Sequence, residues 1–180
     1  MELATGMIFA YVYWYYGLSS GLGVMAFYAC LFIIIFVIDL EHGLILNKVV
    51  YPSMVVALLL ALFLPQPWLT QWIAPGIASA AMGGGISFVI FFVIAIASRG
   101  GMGWGDVKLA GLIGLATGFP LVFFSMIIGA ILGGIVAVAL VIAKKRTLKE
   151  TIPFGPLLAS AAMVTLLWGN TILNWYLGLT

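Results

Sequence analysis

Asp39 and Asp106 are the only two aspartates in the 180-residue chain, and each stands where an apolar run gives way to a polar end. Asp39 closes Leu31-Phe32-Ile33-Ile34-Ile35-Phe36-Val37-Ile38, and Asp106 closes Gly101-Met102-Gly103-Trp104-Gly105. A carboxylate at the margin of an apolar segment costs a few kcal/mol and is usually kept for function. Two carboxyl groups brought within a few ångströms cannot both ionise, so they share a proton; one activates a water as general base while the other acts as acid. Such a pair hydrolyses an amide without a metal or a nucleophilic side chain. The rest of the chain offers no rival chemistry. His42 is the single histidine, which excludes a multi-histidine metal site, and Cys30 is the single cysteine, which excludes a disulfide or a cysteine-based zinc site within one chain. The serines have no His–Asp partner set, because His42 lies only three residues from Asp39.

Taken singly, each acid has a plainer reading. Asp106, just before Val107-Lys108-Leu109-Ala110, fits a helix N-cap. Asp39 fits an interfacial residue solvating a helix end, but it would then sit at a C-terminus, where the helix dipole disfavours negative charge. That asymmetry predicts that Asp39 holds the shared proton and Asp106 the charge. Gly100, Gly101, Gly103 and Gly105 before Asp106 would let a second backbone come close, as a protease acting on an unwound substrate helix requires. Gly101, Gly103 and Gly105, with Lys108 beyond the acid, are therefore candidates for the substrate approach. The glycine spacing is not G-x-G-x-x-G and no βαβ pattern surrounds it, so a dinucleotide site is excluded.

The elements that must position these acids are helices in lipid. The chain is 65% apolar and only 7% charged, with a mean hydropathy of +1.29, where a soluble domain carries about 25% charged residues. A net charge of +2 spread along the chain gives no nucleic-acid surface. About seven apolar segments are predicted, at 3–16, 22–38, 49–64, 75–98, 107–117, 119–143 and 154–169. The expectation is an all-α polytopic bundle forming one transmembrane domain over 1–180, with no cleavable signal pattern. If each segment crosses once, every charged residue falls at the same side: Glu2, Asp39, Glu41, Lys48, Arg99, Asp106, Lys108, the Lys144-Lys145-Arg146 cluster with Lys149, and Glu150. The positive-inside rule makes that side, and the N-terminus, cytoplasmic. Trp14, Tyr15, Tyr16, Trp68, Trp72, Trp168, Trp175 and Tyr176 gather at the uncharged ends, as an interfacial belt does. Small residues such as Gly83-Gly84-Gly85 and Gly129 to Gly133 suit close helix packing within the chain. They do not establish a homo-oligomer. Cys30 is expected to be a small buried residue.

Gly103-Trp104-Gly105-Asp106-Val107-Lys108-Leu109 resembles the GxGD signature of the prepilin peptidases, intramembrane aspartic proteases also known as type IV leader peptidases. Ile38-Asp39-Leu40-Glu41-His42 resembles the family's first aspartate motif, and Pro153-Phe154-Gly155-Pro156 resembles the opening of its last helix. The similarity extends to Glu2-Leu3-Ala4-Thr5-Gly6 and so covers nearly the whole chain in order. It implies Asp39 and Asp106 as the catalytic dyad, no cofactor, and prepilins or pseudopilins of type IV pili and related secretion systems as substrates, cut after a short basic leader at the inner face of the plasma membrane. Many members also carry a cytoplasmic insert with paired zinc-binding cysteines, associated with N-methylation. With Cys30 alone, the resemblance here is to the peptidase portion. A second departure is Leu46 in Ile45-Leu46-Asn47, where the family prefers proline.

The alternative is a small ion- or proton-coupled transporter or channel subunit with the acids as ion ligands. It explains acids in an apolar chain but not why both lie near one face, since transporter sites gather at the midplane.

Overall fold

The computed structural model describes residues 2–64, 66–70, 76–98, 101–142 and 154–178. Arg99, Gly100, Trp72, the cluster from Lys144 to Lys149, Glu150 and Pro153 lie outside the described residues, as does the side chain of Glu2. Eight helices follow one another and no strand occurs among the described residues: α1 (Glu2–Tyr16), α2 (Ser20–His42), α3 (Asn47–Phe63), the single turn α4 (Pro67–Thr70), α5 (Gly76–Ala97), α6 (Trp104–Thr117), α7 (Val122–Ile142) and α8 (Gly155–Leu177). Each predicted apolar segment has its helix; only α4 is additional. Four helices are long and apolar enough to cross a membrane, namely Ser20–His42, Gly76–Ala97, Val122–Ala139 and Gly155–Tyr176, and α3 is a shorter apolar helix. The outward faces carry Val55, Leu59, Val93, Ile131, Ile135 and Val138 exposed. An apolar exterior of this kind belongs in hydrocarbon, where helices satisfy their own backbone polar groups.

The 14-residue α6 is about 21 Å long, short for a span. Its placement explains how it manages. It packs against α3, α5, α7 and α8, and Val107, Leu109 to Gly114, Ala116 and Thr117 are all buried, so it is the centre of the bundle and not a lipid-facing element. It begins at Trp104, taking its first turn from the glycine stretch.

The tightest helix pair is α5 with α6. Ser79, Gly83, Ser87, Phe91 and Ala95 recur every fourth residue on α5 and form its buried stripe. A Cβ on Gly83 would lie 2.5 Å from Gly114 O, and one on Gly114 would collide with Gly83 O and Ser87 Oγ. The two backbones touch, as small-residue interfaces in membranes allow. Ser87 Oγ lies 2.8 Å from Gly83 O in its own helix and 2.8 Å from Ala110 O in α6, so its proton links the pair. At the far end Trp68 Nε1 donates to Ala116 O at 3.0 Å and Ser79 Oγ to Phe119 O at 2.9 Å. Gly114→Ala is expected to lower stability by about 1–3 kcal/mol through overpacking, read as a lower unfolding midpoint in detergent.

Two sets of contacts identify the ends of the bundle. Tyr11 and Trp168 rings stand 5.4 Å apart and Tyr16 and Trp68 rings 6.2 Å apart, gathering the aromatic residues of α1, α4 and α8 at one end. The opposite end collects the C-terminus of α2 and the N-termini of α3, α6 and α8, and with them Asp39, Glu41, His42, Lys48, Asp106 and Lys108.

Cys30 departs from expectation. It is exposed on α2, because the buried face of that helix runs through Val24, Tyr28, Leu31, Phe32 and Ile35 and turns residue 30 outward.

Candidate active site

Asp39 lies in the last turn of α2. Gly43 ends that helix with φ +62, a left-handed C-cap that favours glycine, and its N–H donates to Asp39 O at 2.8 Å. The Asp39 side chain is 4% exposed. Its Oδ2 is buried against Gly155, the first residue of α8, and makes no hydrogen bond among the described residues. A Cβ on Gly155 would collide with that oxygen and lie 2.9 Å from Asp39 Cγ. The missing side chain is the seat of the carboxyl group.

Asp106 occupies the first turn of α6. The N-cap is Gly103, not Asp106: the acid is the third residue of the helix, and its N–H donates to Gly103 O at 3.1 Å. Its carboxyl folds back toward Gly103, with Oδ2 3.4 Å from where a Cβ on that glycine would sit. An acid at this position complements the first-turn N–H groups in the manner of a capping box. The two carboxyl groups lie within electrostatic reach of each other.

The dipole asymmetry read from the sequence is offset. Asp39 does sit at the negative end of α2, yet its carboxyl faces the positive start of α8. Both acids therefore meet a helix N-terminus, Asp106 that of its own helix and Asp39 that of α8. Helix ends alone do not select which acid holds a proton.

The other predicted residues separate. Gly101 is exposed in a bend, with Ser98 O 3.3 Å from where its Cβ would be. Gly103 borders Asp106, and Gly105 is packed on Ile45, whose Cβ would be 2.9 Å from a Cβ on that glycine. The glycine segment forms no strand; it is a bend that runs into α6. Lys108 Nζ is engaged: it donates to Asn47 Oδ1 at 2.9 Å and lies 5.1 Å from the centre of the Tyr51 ring. His42 is exposed at the helix end.

Gly155 and Ile45 were not candidates in the sequence. A glycine directly before Pro156 at a helix start is a readable signal, since only the absent Cβ distinguishes that position. Ile45 carries none, because its role depends on α6 and α8 meeting the loop from both sides.

The loop also accommodates Leu46. Its φ of −72° falls within the range proline imposes, and residues 44–46 are non-helical, which suits a residue preceding proline. Leu46 O accepts from Val49 N and Val50 N, bonds that a proline would keep. Leu46→Pro is expected to fold normally and to gain about 0.4–1 kcal/mol by restricting the unfolded chain, measurable as a raised unfolding midpoint.

A description of the type IV leader peptidase family matches residues 26–138, a stretch holding both aspartates. The chain is 33% identical over 180 residues to the prepilin leader peptidase/N-methyltransferase of Bacillus subtilis, covering 98% of this chain and 68% of that protein. It is 28% identical over 178 residues to the proteins of the same name from Stutzerimonas stutzeri and Pseudomonas aeruginosa, covering 98% of this chain and 60% of each. The chain thus spans 60–68% of the length of these relatives. No solved structure matches it.

Proposed function

The chain belongs to the type IV leader peptidase family, and from that premise we propose that it is an intramembrane aspartic endopeptidase that removes the short basic leader of type IV prepilins or pseudopilins. The supporting observation is that Asp39 and Asp106, 67 positions apart in the chain (106 − 39), lie at the same end of the bundle within electrostatic reach.

One carboxylate takes a proton from a water, whose oxygen attacks the scissile carbonyl carbon. The protonated partner gives its proton to the amide as the carbon–nitrogen bond breaks, leaving a carboxylic acid and an amine. The pair ends with one proton, as it began. The bend through Gly101 and Gly103, exposed beside Asp106, leaves room for an extended substrate backbone. The charged end that holds the dyad faces the cytoplasm by the positive-inside rule, with the N-terminus on that side and residues 1–180 acting as one domain in the plasma membrane.

The test is cleavage of a prepilin-like peptide by the chain reconstituted in liposomes of sorted orientation. The expected product is cut at the end of the basic leader, and only when the leader is offered to the charged end. Folded protein that cuts nothing, or cuts from the aromatic end, would overturn the proposal.

A further inference from the structure

We propose that the loop joining α2 to α3 is a strap that sets the spacing of the two aspartates, with Ile45 as its wedge and Asn47 as its fastening to Lys108. The inference rests on the reading of Asp39 and Asp106 as a working pair. Ile45 touches both halves of that pair through glycines. Its Cδ1 would lie 3.4 Å from a Cβ on Gly105, the neighbour of Asp106, and 3.1 Å from a Cβ on Gly155, on which Asp39 is seated. One aliphatic side chain therefore fills the space between the start of α6 and the start of α8. Two residues on, Asn47 opens α3 and accepts the hydrogen bond from Lys108 Nζ at 2.9 Å. Tyr51, four residues further and so on the same face of α3, offers its ring to that ammonium at 5.1 Å. Lys108 is two residues past Asp106 in the first turns of α6. The loop that leaves the Asp39 helix is thus held to the Asp106 helix at two points.

Lys108, Asn47 and Ile45 are then positioning residues and not substrate contacts. The distinction is kinetic. Cleavage of a prepilin-like peptide in liposomes, with kcat and KM determined separately, would compare Ile45→Ala, Asn47→Ala, Lys108→Met, the Asn47→Ala/Lys108→Met double variant, Lys108→Arg, Ile45→Val, Asp39→Asn and Asp106→Asn. Misplacing a catalytic group by about 1 Å costs on the order of 100-fold, so Ile45→Ala, Asn47→Ala and Lys108→Met should each lower kcat about 10- to 100-fold with KM nearly unchanged. The double variant should be no slower than the worse single one, since both break the same fastening. Lys108→Arg and Ile45→Val, which keep the charge and the branched shape, should recover most of kcat.

A raised KM with kcat intact in Lys108→Met, alongside a wild-type Asn47→Ala, would make Lys108 a substrate contact and overturn the strap. Losses that multiply in the double variant would do the same. Inactive Asp39→Asn and Asp106→Asn with unimpaired loop variants would sink the strap alone. Active aspartate variants would remove the pair itself and the strap with it.

Discussion

Asp39→Asn and Asp106→Asn are each expected to lower cleavage of a prepilin-like peptide by about 10²–10⁴-fold, the range of a lost general acid or base. Asparagine keeps the shape of either side chain but can neither take a proton from water nor return one to the leaving amine. The double Asn variant should be about as slow as either single one, because a proton-sharing pair works as a unit and the first substitution would already disable it. Stability should move the other way at Asp39. Asp39 is 4% exposed, with one carboxyl oxygen lacking a hydrogen bond among the described residues, and replacing the carboxyl by a neutral amide removes a group that is costly when charged and buried. Asp39→Asn should therefore unfold at or above the wild-type midpoint in detergent. An inactive variant that is also grossly unstable would show that Asp39 holds the fold together and leave its chemistry without support.

Gly155→Ala is expected to be the next most damaging change, lowering kcat on the order of 100-fold by displacing one acid of the proposed pair. The added methyl would overlap Asp39 Oδ2 and stand 2.9 Å from Asp39 Cγ and 3.1 Å from Ile45 Cδ1. None of these neighbours can withdraw freely: Asp39 is buried at the end of α2, and Ile45 is already pressed on Gly105. The carboxyl must turn away from α8. Gly23 supplies the control, since it lies within α2 with nothing inside 4 Å of its would-be Cβ. Gly23→Ala should keep full activity and be neutral or slightly stabilising, as alanine is in a helix. Equal, small effects at both glycines would show that the contact with Asp39 does not govern activity.

The parts legible in the sequence were those encoded by composition and by rare residue types. Apolar runs in so hydrophobic a chain point to helices in lipid, so the places of the seven longer helices followed from hydropathy, including α6, which is short for a span. Two aspartates in so apolar a chain stood out because each is expensive where it lies. Details that depend on how helices meet were not legible. Asp106 reads as a cap, but the chain caps α6 with Gly103, starts it at Trp104 and puts the acid in the first turn. Residue type alone places Cys30 in the interior, whereas the rotation of α2 turns it out. Asp39 sits at the negative end of its own helix, and the start of α8, distant in sequence, offsets that local field. Lys108 stands beside the motif in the sequence as a candidate for the substrate approach, and its engagement with Asn47, 61 residues away, is visible only in the folded bundle.

Everything about catalysis here depends on Asp39 and Asp106 holding one proton in common, and infrared difference spectroscopy on protein with isotope-labelled aspartate carboxyls, reconstituted in liposomes, reads that directly. The account predicts one protonated carboxyl band at neutral pH that is altered by both Asp39→Asn and Asp106→Asn. Two bands titrating independently, each lost only with its own residue, would contradict it.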